Sequence, residues 1–154
     1  MAGLDVAYIP TPKDIVRRML QCASLRPGER IFDLGAGDGR IMIEAVRHFR
    51  AKAVGVEIDP ERTKRIRERL SSTGTSAELI EGDLLKVDVS TADVVCIYLS
   101  DSMNAELGPK LKRELKKGTR VVSLDYQLPD WSSIREVTVN TAGIPRKIYL
   151  YQAQ

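Results

Sequence analysis

The sequence predicts an α/β fold: a single-domain, Rossmann-like, doubly wound sheet of seven strands, mostly parallel with a C-terminal antiparallel hairpin strand. Three observations predict it. Strand-like and helical apolar patterns alternate along the chain from Lys13 to Leu124. A glycine-rich turn follows the first strand and opens a helix. Two further strands then arrive with only turn residues between them, which makes them a hairpin and one edge strand antiparallel. At 154 residues the chain fits one domain over 1–154, read as a cap segment and helix over 1–28 and a core over 29–154.

Each element has its own local reason. Thr11-Pro12-Lys13-Asp14 reads as a helix start, with Thr11 as N-cap, Pro12 at the first helical position and Asp14 in the first turn. Ile15, Met19, Leu20 and Ala23 recur at helical spacing until Arg26-Pro27-Gly28 stops the helix. Strands are expected at Arg30 to Leu34, Ala53 to Ile58, Ala77 to Ile80, Asp93 to Leu99 and Arg120 to Leu124. The fourth is the most apolar and is expected at the centre of the sheet. Helices are expected at Ile41 to Phe49, Pro60 to Leu70 and Met103 to Leu115. The final pair, Ile134 to Val139 and Lys147 to Tyr151, is joined through Asn140, Gly143 and Pro145.

Composition excludes several classes. The two cysteines lie in apolar runs and there is one histidine, so no metal site is expected and a reducing, cytoplasmic setting is the default. No apolar run approaches the roughly 20 residues needed to span a bilayer, and no signal-peptide pattern precedes the first helix. A net charge of +3 falls short of a dedicated nucleic-acid binder. The basic stretches Arg62 to Arg69 and Lys110 to Arg120 are interleaved with glutamates and read as solvated helix faces.

The chemistry concentrates where strands end. Asp33-Leu34-Gly35-Ala36-Gly37-Asp38-Gly39-Arg40 lies at the carboxyl edge, where glycines let a ligand approach the backbone. Glu57 ends the second strand, where a carboxylate accepts ribose hydroxyls, and Asp83 ends the third, where one can meet an adenine amino group. Either could alone be a solvated strand-end carboxylate; three such sites on successive strands point to an adenosyl ligand. Arg40 stands where a dinucleotide fingerprint wants its third glycine, and no Lys-Ser or Lys-Thr follows to make a triphosphate loop. Asp33 and Asp38 would repel a pyrophosphate but suit an ammonium group, which favours S-adenosylmethionine over NAD.

Asp33 to Arg40, Gly55-Val56-Glu57 and Glu81-Gly82-Asp83 resemble the cofactor motifs of class I, seven-strand methyltransferases. More narrowly, Tyr8-Ile9-Pro10-Thr11-Pro12, Val54 to Glu57 and Gly118 to Ser123 are similar to archaeal broad-specificity protein lysine methyltransferases and their mitochondrial relatives. The resemblance implies that Gly35, Ala36, Gly37 and Gly39, with Asp33, hold the methionine part. It implies Glu57 and Ile58 at the ribose and Asp83 with Leu84 at the adenine. Tyr8 and Thr11 would fold over the cofactor, with Tyr98 beside it. It also implies protein substrates bearing exposed lysines, and nucleic acid only through nucleic-acid-binding proteins. The mitochondrial members carry a membrane-targeting segment ahead of this core; the chain starting at the core is expected to be a soluble enzyme.

The acceptor pocket is expected after the fourth and fifth strands. Tyr98, Asp101, Asp125 and Tyr126 are the catalytic candidates, with Ser100 and Asn104 beside them. Tyr98-Leu99-Ser100-Asp101 lacks the prolines of base-methylating enzymes. Tyr126 can shape an amine channel or simply pack, and Asp125 can orient an ammonium or simply end a strand. Trp131 is read as packing. Neutralising a lysine at pH 7 costs about 4.6 kcal/mol, which a nearby sulfonium and desolvation lower, so no strong general base is required. RNA or small-molecule (precorrin-like) methylation, and non-catalytic cofactor binding by a regulator, are the competing readings.

Overall fold

Short β-branched runs separated by amphipathic stretches bury themselves best as a parallel sheet with helices on both faces. The computed structural model, which describes residues 11–154, has this arrangement. Seven strands are present among the described residues: β1 (Arg30–Leu34), β2 (Lys52–Glu57), β3 (Glu78–Glu81), β4 (Val94–Ile97), β5 (Arg120–Leu124), β6 (Arg135–Thr141) and β7 (Ile144–Gln152). They form one sheet in the order β3-β2-β1-β4-β5-β7-β6, with β4, buried at all four positions, in the middle. β1 to β5 run parallel, and β7 runs antiparallel to both β5 and β6.

The antiparallel strand is therefore not the edge strand that the hairpin argument expects. β7 lies one place in, and β6 outside it runs with the parallel set. Burial explains the choice. Ile148, Tyr149, Leu150 and Tyr151 of β7 are all buried, whereas Arg135, Glu136, Thr138 and Asn140 of β6 are exposed. The apolar strand takes the inner position, and charged and polar side chains guard the open edge. Both strands run further than expected because the turn is only Ala142-Gly143, each with positive φ (51° and 78°), the geometry of a tight hairpin.

The helices are α1 (Lys13–Cys22), α2 (Arg40–Phe49), α3 (Pro60–Thr73) and α4 (Asp101–Glu114). α1 does not start on a Thr11 cap. Pro12, extended at φ −56° and ψ 147°, occupies the N-cap position without a side-chain cap bond, and helix begins at Lys13. Because Pro12 itself is extended and lies outside the helix, Thr11 is one position too far from the first turn to cap it. α4 begins two residues earlier than expected because the Ser100 hydroxyl caps it, accepting from the Met103 N–H at 3.1 Å.

Two apolar layers fix the helices on opposite faces. α1 and α2, with Ile66 of α3, pack one face through Ile15, Met19, Leu20, Met42 and Ala45. α4 covers the other through Met103, Leu107 and Leu111, joined by Leu84, Val89 and Leu128. Each fully buried large side chain stabilises by about 1.5–3 kcal/mol. α2 can come this close to β2 because residue 55 is glycine: a Cβ there would lie 2.2 Å from the Met42 sulfur. Successive crossovers run outward from β1 to β3 on one side and from β4 to β5 on the other. The crevice between the carboxyl ends of β1 and β4 is thus the topological switch point, where open α/β sheets bind ligands.

Candidate active site

Glycine is needed where β1 turns into α2. Gly35, Gly37 and Gly39 have φ of 87°, 62° and 82°, a region that side chains rarely adopt. The Gly35 and Ala36 amides donate to the Val56 carbonyl at 2.8 and 2.9 Å, which clamps the loop onto the end of β2. Glu57, 3% exposed, ends β2 beneath it. Its Oε1 accepts from the Gly37 N–H at 2.9 Å and its Oε2 from the Asp59 N–H at 3.0 Å. Each oxygen keeps a second lone pair for a ligand hydroxyl. The Gly82 amide donates to the Glu57 carbonyl at 2.9 Å, which brings Asp83 alongside; Asp83 Oδ1 accepts from the Leu85 N–H. Ile58 is half-buried just past Glu57. Leu84 instead turns into the core, with its side chain among the packing residues.

Asp33 is the anomaly of this edge. It is 3% exposed, and its Oδ2 has no hydrogen-bond partner among the described residues. Burial holds its carboxyl well above the ordinary range, and the neighbouring Glu57 and Asp38 charges push the same way. Asp38 does not share its position. Its carboxylate binds Arg40 at 2.5 Å and Arg69 at 2.9 Å, whereas no such pair is formed by Asp33 among the described residues. Thr11 is buried, and its carbonyl accepts from Arg40 at 2.7 Å. Tyr8 lies outside the described residues.

On the β4 side, Leu99 lies against the glycine loop, 3.0 Å from where a Gly35 Cβ would be. Tyr98, the residue before it, follows β4 at the same carboxyl edge and packs against the layer formed by α1 and α2. The Tyr98 and Tyr126 rings stack at 6.3 Å between centroids and 21° between planes. Tyr126 is fixed from below: its carbonyl accepts from Ser123 Oγ at 2.5 Å and from Asn104 Nδ2 at 3.3 Å. Asn104, fully buried, also donates to the Gln127 carbonyl at 3.1 Å. Asp125 has a positive φ of 66° and pairs with Arg146, whose Nη2 and Nε lie 2.7 and 2.9 Å from Oδ2. The Arg146 guanidinium also sits over the Tyr98 ring, 5.5 Å from its centroid. Burial raises the Tyr98 phenol above its usual range, against the pull of Arg146.

Of the four acceptor candidates, the fold brings Tyr98, Asp125 and Tyr126 together and leaves Asp101 apart, exposed in the first turn of α4. There its charge complements the helix dipole. Trp131 packs on α4, donating to the Gly108 carbonyl at 3.1 Å and meeting Tyr151 edge-on. Arg146 was not among the residues singled out by sequence. It joins the cluster because β7 pairs with β5 only from Ile148 onward, so Ile144 to Lys147 project past the carboxyl end of β5. Only the strand register carries that signal.

Residues 33–135 match the model of the ANTKMT methyltransferase domain family. A protein-lysine N-methyltransferase of Saccharolobus islandicus (strain REY15A) is 40% identical over 95% of this chain and 92% of its own length. The adenine nucleotide translocase lysine N-methyltransferase of Mus musculus is 34% identical over 94% of this chain and 71% of its own length. Among solved structures, an RNA methyltransferase from Salinibacter ruber, in complex with S-adenosyl-L-homocysteine, superposes with a TM-score of 0.87 at 40% identity. That match covers 94% of this chain and 93% of the other. These likenesses agree with a glycine cradle flanked by strand-end carboxylates at the switch point, and the chain belongs to the ANTKMT methyltransferase domain family of class I methyltransferases.

Proposed function

We propose that this chain is a protein-lysine N-methyltransferase that uses S-adenosyl-L-methionine in the switch-point crevice. The cofactor fits the residues there. An ammonium group answers the orphaned Asp33 oxygen, a carboxylate answers the loop amides, and ribose hydroxyls answer the free lone pairs of Glu57. Gly35, Ala36, Gly37 and Gly39 line the methionine end with Thr11; Ile58 and Asp83 hold the nucleoside end. Leu84 contributes to that end by packing beneath it. The bound cofactor supplies a methyl group activated on a sulfonium sulfur.

The observation that carries the acceptor reading is the stacked Tyr98–Tyr126 pair, whose members follow β4 and β5 at the carboxyl edge of the sheet. The paired rings present an aromatic surface against which a lysine's alkyl-amine chain can pack. No imidazole serves the site: His48 sits on α2 against Glu44, 3.1 Å away. A lysine amine needs no protein base once neutral, because it brings its own lone pair, and desolvation between two rings favours the neutral form. Tyr98 and Tyr126 then orient the amine in line with the methyl carbon, an effect worth several kcal/mol. Asp125 sets the floor of the channel, and Asp101, at the rim, faces the basic surface of a protein substrate. Buried free thiols at Cys22 and Cys96 fit a reducing, cytoplasmic setting.

The test is methyl transfer from labelled S-adenosylmethionine to a panel of lysine-rich proteins, to transfer RNA and to a protein-free extract, read by mass spectrometry. Label on lysine side chains is the expected result. Label on RNA with the proteins blank would replace the lysine assignment with the activity described for the Salinibacter relative.

A further inference from the structure

Arg146 lies outside every motif, yet it makes the tightest set of contacts at the acceptor end. Three strand ends meet in it. Its guanidinium holds Asp125, which follows β5, through Nη2 and Nε at 2.7 and 2.9 Å. The same group covers the face of Tyr98, which follows β4. The pair is mostly buried, at 16% side-chain exposure for Arg146 and 27% for Asp125. Asp125 is anchored further, its amide donating to the Lys147 carbonyl at 2.7 Å and its Oδ1 accepting from the Lys147 N–H at 3.2 Å. This local bonding holds an aspartate at a φ that few residues adopt.

A carboxylate and an aromatic face are the two groups that bind an ammonium ion best. Both stand where the incoming lysine must lie, and a lysine bound as ammonium has no lone pair to methylate. An acceptor site with a free carboxylate and a free tyrosine face would trap the wrong protonation state. In this chain both groups are already taken by a permanent cation. We propose, resting on the lysine reading above, that Arg146 is a specificity-determining positioning residue. By pairing with Asp125 and covering Tyr98, it denies both to the ammonium form of the substrate lysine and leaves the channel to the neutral amine.

The proposal makes an unusual kinetic demand. Freeing Asp125 strengthens binding of the unreactive ammonium form without changing how the neutral amine reacts. Non-productive binding of this kind lowers kcat and KM together and leaves kcat/KM in place. An opposite charge within a few ångströms favours a charged form by about tenfold or more, which sets the size of the fall. A side chain that merely supported the fold would lower kcat/KM instead.

The experiment is steady-state methylation of a neutral synthetic peptide carrying one lysine, at pH 7.5, by the wild-type chain and three variants. Arg146→Leu is expected to lower kcat and KM by about tenfold each, with kcat/KM changed less than twofold. Arg146→Leu with Asp125→Asn recovers most of the fall in both constants, because the carboxylate that holds the ammonium is gone and only the Tyr98 face is left open. Arg146→Lys, which keeps a cation over Asp125, stays near wild type. If circular dichroism shows Arg146→Leu unfolded, the neutral and more polar Arg146→Gln is read in its place. A fall in kcat/KM that Asp125→Asn does not repair overturns the proposal while leaving lysine methylation standing. Failure of the wild type to methylate the peptide or any lysine-bearing protein overturns the lysine reading, and this inference with it.

Discussion

Replacing Glu57 by glutamine tests the cofactor site through two independent readings. The carboxylate is 3% exposed and uses both oxygens structurally, Oε1 on the Gly37 amide at 2.9 Å and Oε2 on the Asp59 amide at 3.0 Å. Glutamine offers one oxygen, so its NH2 must face one of those two donors. One charge-assisted bond is lost and a buried N–H is left opposed, a cost of about 1.5–3 kcal/mol. For a chain of this size that lowers Tm by about 4–10 °C. If Glu57 also accepts ribose hydroxyls, the weaker acceptor raises the calorimetric Kd for S-adenosylhomocysteine by about ten- to a hundredfold. A lowered Tm with an unchanged Kd would refute the ribose role and leave Glu57 as a loop anchor. An unchanged Tm would refute the anchoring itself.

Gly55→Ala drives a Cβ to 2.2 Å from the Met42 sulfur, and overpacking should cost about 1–3 kcal/mol by urea denaturation. Combining it with Met42→Ala should recover part of that loss, and no recovery would refute the contact. Asn104→Ala removes the donor shared by the Tyr126 and Gln127 carbonyls; about 1–3 kcal/mol of stability should go, with kcat/KM for lysine methylation falling with it. Asp33 gives a pH signature. Its folded-state carboxyl is raised well above the unfolded value, so its contribution to stability is present below the ordinary carboxylate range. That contribution is lost as pH rises through the raised value. Tm of the wild type, scanned by calorimetry without cofactor from about pH 4 to 8, should therefore fall relative to Asp33→Asn. Parallel Tm profiles would count against that carboxyl being perturbed.

Sequence reading reaches as far as local pattern reaches. That Gly35, Glu57 and Asp83 share one edge was legible because each lies at or just past the end of a strand whose pattern marks it, and parallel topology places all such ends together. Strand order beyond β5 was not legible. Whether β6 or β7 takes the inner position depends on which strand buries more, and that competition lies between two strands rather than within either. The Thr11 cap was not realised because Pro12 stays extended and the helix starts one residue later than the cap pattern implies. Leu84 stands at a motif position next to Asp83 while its side chain packs in the core. Arg146 could not be found at all, because residues 98, 125 and 146 meet only through the register of β7 on β5.

Counting carboxylates in the sequence also overstates the negative charge at the ligand edge, and the structure shows why the difference matters. Asp38 is answered by Arg40 and Arg69, Asp125 by Arg146, and Glu57 by two backbone amides. Among the described residues only Asp33 keeps a buried carboxylate oxygen without a partner. An edge lined with free carboxylates would attract any cation, including the ammonium of an unreactive lysine. On the cofactor placement proposed above, the one buried carboxylate oxygen left without a partner, that of Asp33, is the place for the methionine ammonium. On the lysine reading proposed above, the same matching leaves Asp125, beside Tyr98 and Tyr126, already paired with Arg146 and so not open to hold a substrate in the wrong protonation state.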